Sequence, residues 1–141
     1  MTTIAIDHNT ISADGRTTGN EIIQNDQTVK LHKRDGVIYA FAGSVQDCQD
    51  FVDAISDGTE IPKESLNANV VTIEGDEVRI HAVSDGEYTS WAVSLPYSFG
   101  SGSAYALSAM DLGKTSREAV KYDMTRDIYS GGKIKTLTWR K

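Results

Sequence analysis

Residues 37–42 read Val-Ile-Tyr-Ala-Phe-Ala, an almost wholly apolar run entered through Arg34-Asp35-Gly36. A strand with no polar face has to be covered on both sides, so this run commits the chain to a layered structure. Asp-Gly before it is a strong hairpin signal and pairs it with the run Thr28–His32. Thr3–Ile6 and Thr10–Ala13 are further β-like runs, separated by Asp7-His8-Asn9. A polar stretch from Asp14 to Gln27 follows them, broken by Gly15 and Gly19. Three more strands are expected over Asn69–Ile73, Val78–Val83 and Tyr88–Val93, with Gly75 and Gly86 in the turns between.

Helical periodicity is confined to two regions. Ser44 starts the first, three residues before Asp47, and Val45, Cys48, Phe51, Val52 and Ile55 share one face until Asp57-Gly58. Ser103–Leu112 forms a second helix stopped by Gly113. Thr115–Tyr129 forms a third, with Thr115 and Glu118 at capping-box spacing and Val120, Met124 and Ile128 four apart. Gly131-Gly132 ends it, and Lys133–Trp139 is a last strand. The order is strands, helix, strands, two helices, strand, which predicts α+β layers with sheets packed together and helices outside.

At 141 residues this is expected to be one domain able to bury a core without disulfides or structural metal. The one cysteine, Cys48, lies on a helical apolar stripe and reads as a buried small hydrophobe in a reducing compartment. A formal net charge of −6 argues against binding nucleic acid through its phosphates. No apolar run has the length of a membrane span, and no signal peptide is expected ahead of the first strand.

Several motifs carry no chemistry. Gly113-Lys114-Thr115 resembles the end of a phosphate-binding loop, but Ser108 stands where the earlier glycine belongs and the segment joins two helices. His8, His32 and His81 lack partners at metal spacing, so no metal is expected. The acidic side chains are scattered over helix faces and turns.

Thr2-Thr3 is different. A terminal threonine can carry both halves of a nucleophilic pair, because its hydroxyl attacks while its own α-amine, with a pKa of about 7.7–8.0, takes the proton. Met1 stands before a small residue, a setting in which methionine can be removed. Six short motifs accompany the pair in order. They are Thr2-Thr3-Ile4, Asp14-Gly15, Val29-Lys30-Leu31, Ala40-Phe41-Ala42-Gly43-Ser44, Gly100-Ser101-Gly102-Ser103, and Arg126-Asp127 with Ser130-Gly131-Gly132. Together they make the chain resemble the proteasome β-subunits and their bacterial ATP-dependent peptidase relatives, over nearly its whole length.

That resemblance implies a four-layer αββα sandwich of the N-terminal nucleophile hydrolase type. It implies Thr2 as nucleophile, Lys30 beside it lowering its pKa, and Asp14 holding Lys30 charged. Ser101, Asp127 and Ser130 would bond around the α-amine, and the backbone N–H of Ala40 would form the oxyanion hole. Extended substrate would pair near Thr18 and Ala42, with Thr17, Thr28 and Ile38 lining the first specificity pocket. Ala40 replaces the glycine usual in the family, and Asp57–Ala68 is too short for the family's second helix, so the outer helix layer is shortened. Taken singly, each of these residues also has a structural reading: a strand end for Asp14, a surface site for Lys30, helix caps for the serines.

The function expected from the resemblance is a cytoplasmic threonine-type endopeptidase acting on peptides or unfolded proteins. It needs no cofactor, assembles as a homo-oligomeric ring or stacked rings, and has an ATP-dependent unfoldase as a possible partner. The alternatives are an amidase of the same fold acting on a small amide, and a catalytically silent interaction protein.

Overall fold

Asp7 shows how the first turn is built. Its carboxylate accepts from the backbone N–H groups of Asn9 (2.8 Å) and Thr10 (2.6 Å) and from the Thr10 hydroxyl (2.8 Å). These bonds fold β1 (Thr3–Ile6) onto β2 (Thr10–Ala13) as an antiparallel pair. The same carboxylate takes the Ser116 N–H at 2.7 Å. Burial pushes its pKa up, but the four donors outweigh that and hold it below the ordinary aspartate value.

The computed structural model describes residues 2–43 and 45–140 and divides into two compact units, Met1–Leu31 with Ser94–Lys141, and His32–Val93. The first unit is built on an antiparallel sheet in the order β10-β1-β2-β11, with β10 at Tyr97–Gly100 and β11 at Lys135–Thr138. Helices α2 (Ser103–Asp111) and α3 (Ser116–Asp123) pack against it through Ala5, Ala106, Ala109, Met110, Ala119 and Val120. The small side chains at this contact let the helices approach the sheet closely.

Two readings of this unit need correction. The polar stretch 14–27 contains a hairpin, β3 (Thr17–Gly19) and β4 (Ile22–Asn25), turning through Asn20 and Glu21 at positive φ. Ile22 and Ile23 are exposed, so no buried face writes an alternating pattern there. The second correction is the length of α3. It begins at the Thr115–Glu118 capping box, as the spacing predicts, but stops at Asp123 instead of continuing to Tyr129. The Thr125 hydroxyl bonds back to the Tyr122 carbonyl, and Arg126 and Asp127 both donate to the Asp123 carbonyl, which tightens the chain into turns. Arg126 and Asp127 therefore follow the helix instead of ending it.

The second unit is a five-stranded meander in the order β5-β6-β7-β8-β9, with one helix. Its strands are β5 (Leu31–Arg34), β6 (Val37–Gly43), β7 (Ala68–Glu74), β8 (Glu77–Ser84) and β9 (Glu87–Ala92), and α1 spans Val45–Asp57. Tyr39 and Phe41 on β6 join Cys48, Phe51, Val52, Leu66, Ala68, Val70 and Val83 in one core. Ile38 and Ala40, at the alternate positions, are equally buried, so β6 has no exposed face, as its composition predicts. Burial pushes the Cys48 thiol up to about 12, which leaves it an inert core residue. The expected helix start at Ser44 lies outside the described residues, and residues 58–67 hold no helix.

The strand expected over Thr28–His32 forms three residues later. Thr28 donates its N–H to the Gly15 carbonyl, and the Lys30 ammonium bonds Asp14, so 28–30 are held away from ladder geometry. His81 is a satisfied structural histidine, bonded to Thr72 (3.0 Å) and Tyr88 (2.8 Å), with burial lowering its pKa to about 4. Among the described residues no group of His, Cys, Asp and Glu is placed to hold a metal ion, and no helix is long and apolar enough to cross a membrane.

Candidate active site

Thr2 is buried, and its backbone is clamped from two sides. On one side the Ser101 N–H donates to the Thr2 carbonyl at 2.9 Å. Gly100 faces Thr3 in the β1–β10 register with φ +103°, and a Cβ there would sit 1.6 Å from the Thr2 oxygen. Only glycine permits that approach. On the other side the Thr3 N–H donates to Asp14 Oδ1 at 3.0 Å.

Asp14 follows β2 directly and gathers four donors. Lys30 Nζ reaches the same Oδ1 at 2.8 Å, while Oδ2 accepts from the N–H groups of Gly131 (3.0 Å) and Arg16 (3.2 Å). The Lys30 ammonium also donates to the Arg16 carbonyl at 2.7 Å. Both partners are buried, Lys30 at 3% and Asp14 at 1% exposure, so the surface-lysine reading does not hold. An ion pair this dry persists only when its remaining polar positions are satisfied, and here three backbone N–H donors and a carbonyl do so. Burial lowers the Lys30 pKa, with the Asp14 charge opposing it. A positive charge is thus fixed against the Thr2–Thr3 peptide, the two N–H donors sharing one oxygen.

The third part of the site is a chain of hydroxyls. Ser101 Oγ and Ser130 Oγ both donate to Asp127 Oδ2, at 2.6 and 2.7 Å, and Ser130 Oγ lies 2.6 Å from Thr3 Oγ1. Tyr129 N–H caps Asp127 Oδ1 at 3.1 Å. Burial raises the Asp127 pKa, but the Ser101, Ser130 and Tyr129 donors outweigh it and hold the group below the ordinary value. Thr3 links both halves, with its N–H on Asp14 and its hydroxyl on Ser130.

The first unit therefore brings Thr2, Asp14, Lys30, Ser101, Asp127 and Ser130 together. Thr17 and Thr28 are joined through their hydroxyls in the same unit, and Thr18 sits half-buried on β3. Ile38, Ala40 and Ala42 stand in the second unit at successive alternate positions of β6. Sequence reasoning missed four contributors: Thr3 as the bridge, the Arg16 carbonyl, the Gly131 N–H and Asp123. Thr3 and Gly131 stood inside quoted motifs without a role of their own, and Asp123 left a weaker signal, a carboxylate three residues after the core residue Val120.

No family model matches the sequence, and no curated protein does. Solved structures match throughout. A eukaryotic HslV from Trypanosoma brucei superposes with TM-score 0.77 at 17% identity, covering 97% of both chains. The chain has the HslV fold. BPH from Thiobacillus denitrificans gives TM-scores of 0.74 in complex with epoxomicin and 0.71 alone, at 17% and 18% identity, with 97% of this chain and 96% of each match covered. The α+β fold of the N-terminal nucleophile hydrolase type, implied by the six motifs, is thus the fold observed. The likeness to proteasome-like peptidases holds at that level.

Proposed function

We propose that the chain is a threonine-type peptidase of the proteasome kind, with Thr2 exposed as the terminal residue by cleavage of the bond before it. The observation that carries this reading is the shared oxygen of Asp14, which holds a buried ammonium and the Thr2–Thr3 N–H at one point. The neighbour in complex with epoxomicin adds support from the same fold.

In this reading the Thr2 hydroxyl attacks the substrate carbonyl and passes its proton to the freed α-amine. The Lys30 charge favours the alkoxide and the neutral amine together. Ser101, Asp127 and Ser130 hold that amine through the hydroxyl chain. The Ala40 N–H stabilises the oxyanion, an interaction worth roughly 2.7–4 kcal/mol per donor in other hydrolases. Collapse of the intermediate breaks the peptide C–N bond, the amine gives its proton to the leaving nitrogen, and water then hydrolyses the ester on Thr2. Extended substrate pairs as a strand near Thr18 and Ala42, and Thr17, Thr28 and Ile38 select its first side chain. Intact mass after treatment with a peptide epoxyketone is the test. One adduct on a chain beginning at Thr2 is expected, and a protein that retains residues before Thr2 yet cleaves peptides refutes the reading.

The whole chain acts as one peptidase domain, without cofactor, in the cytoplasm, on peptides or unfolded protein delivered with or without an ATP-dependent unfoldase. A nucleophile freed at the chain terminus favours enclosure in a homo-oligomeric ring, and Tyr105, Leu107 and Leu112 leave apolar surface on and just after α2 for such contacts. Light scattering at micromolar concentration is expected to show an assembly well above a dimer. An active monomer would shift the assignment to an amidase of small amides.

A further inference from the structure

We propose that Asp123 is a positioning residue for this site, whose neutral form supplies the hydrogen that completes the chain of hydroxyls running from Thr3 to Asp127. The proposal rests on the reading of the site given above, and its basis is a count of hydrogens.

Asp123 is the last residue of α3 and is fully buried. Its carboxyl occupies the space that Gly102 leaves empty. A Cβ on Gly102 would lie 1.7 Å from Asp123 Oδ1 and 2.4 Å from Thr3 Oγ1, so the two oxygens are neighbours across that glycine. Neither Asp123 oxygen has a hydrogen bond of normal geometry among the described residues, although the hydroxyls of Thr3 and Ser130 face it. No N–H from the first turn of α2 reaches it either.

The hydroxyls of Thr3, Ser130 and Ser101 supply three hydrogens, and three contacts use them. Ser130 and Ser101 donate to Asp127, so the Thr3–Ser130 contact, in which either hydroxyl could be the donor, takes its hydrogen from Thr3. None is left for Asp123. An ionised carboxylate accepts only. It would have to take the Thr3 hydrogen, leaving two oxygens 2.6 Å apart with nothing between them, or stay buried without a donor. A neutral carboxyl brings the fourth hydrogen and donates it to Thr3 Oγ1. Every link then holds one hydrogen, and the chain runs in one direction from Asp123 through Thr3 and Ser130 to Asp127. That direction leaves a Ser130 lone pair open for the Thr2 α-amine.

The surroundings favour the neutral form. Of the charged groups facing Asp123, Asp127 comes from the turn after α3 and Asp14 from the end of β2, and both are acids. Two cations belong to the network: Lys30 is bonded to Asp14, and the Thr2 α-amine of the proposed mature chain stands on the far side of Ser130 from Asp123. Thr3 on β1 and Gly102 before α2 bring no titratable side chain, and a helix C-terminus disfavours an anion. Burial, with those two carboxylates adding to it, outweighs the pull of the Thr3 and Ser130 hydroxyls toward the anion and raises the Asp123 pKa to about 6.

Asp123→Asn keeps the shape, supplies an N–H donor and cannot ionise. Its kcat relative to wild type is expected to grow several-fold from pH 5 to pH 8, because wild type alone loses the fourth hydrogen over that range. Asp123→Ala, with neither donor nor volume, is expected to lose activity at every pH. Carbon-13 NMR of the aspartate carboxyls in the wild-type protein reads the proton without any peptidase assay, and a midpoint near 6 for Asp123 is expected. A midpoint below 4, or an Asp123→Asn profile parallel to wild type in an active enzyme, overturns the proposal. An inactive protein with the Asp123 midpoint near 6 refutes the peptidase reading and leaves the hydrogen count standing.

Discussion

Thr2→Ala is expected to abolish peptide hydrolysis and epoxyketone labelling, a loss on the order of 10⁴-fold or more, the scale seen when the nucleophile of a hydrolase is removed. The fold should survive, because Thr2 is held through its backbone. Its carbonyl accepts from Ser101, and the following N–H donates to Asp14. Neither bond uses the side chain that the substitution removes. Thr2→Ser keeps the hydroxyl but loses the methyl that limits χ1, so it should retain part of the rate. Steady-state hydrolysis of a fluorogenic peptide, with thermal unfolding on the same samples, measures both effects. Full activity in Thr2→Ala would remove Thr2 from the mechanism.

Lys30→Ala is the second large effect expected. The ammonium is buried, and its bonds to Asp14 and Arg16 fix it in one place. Removing it strips Asp14 of its counter-charge, and breaking one half of a buried pair costs about 3–5 kcal/mol. The rate should fall by orders of magnitude and the melting temperature with it. Lys30→Arg should not restore activity, since a planar guanidinium cannot place one compact charge between Asp14 Oδ1 and the Arg16 carbonyl. The pH profile carries a further signature. Burial lowers the Lys30 pKa, so its charge is lost at lower pH than for an ordinary lysine, and activity should decline correspondingly early on the alkaline side. A Lys30→Ala variant that melts early but hydrolyses peptide at a near-normal rate would make the pair purely structural.

Much of this molecule is legible in its sequence, and local physics explains which parts. Strands β1, β2 and β6–β9 are visible because a period of two or an unbroken apolar run reflects burial, and tight turns bound them. The start of α3 is visible because a capping box needs only residues three apart. Its end is not, since the turns after Asp123 depend on where Asp127 finds Ser101 and Ser130. Strand β10 is hidden in Ser-, Pro- and Gly-containing sequence, and its pairing partner lies about ninety residues away. Lys30 reads equally well as a surface lysine or a buried one, because burial is a property of the chain around it. For Asp123 the sequence shows only an acid near a core stripe. Its lack of a hydrogen-bond donor comes from a glycine, a threonine and a serine that meet only in the folded chain. Spacing along the chain determined the elements, and long-range hydrogen bonding decided which polar residues are buried and which groups they meet.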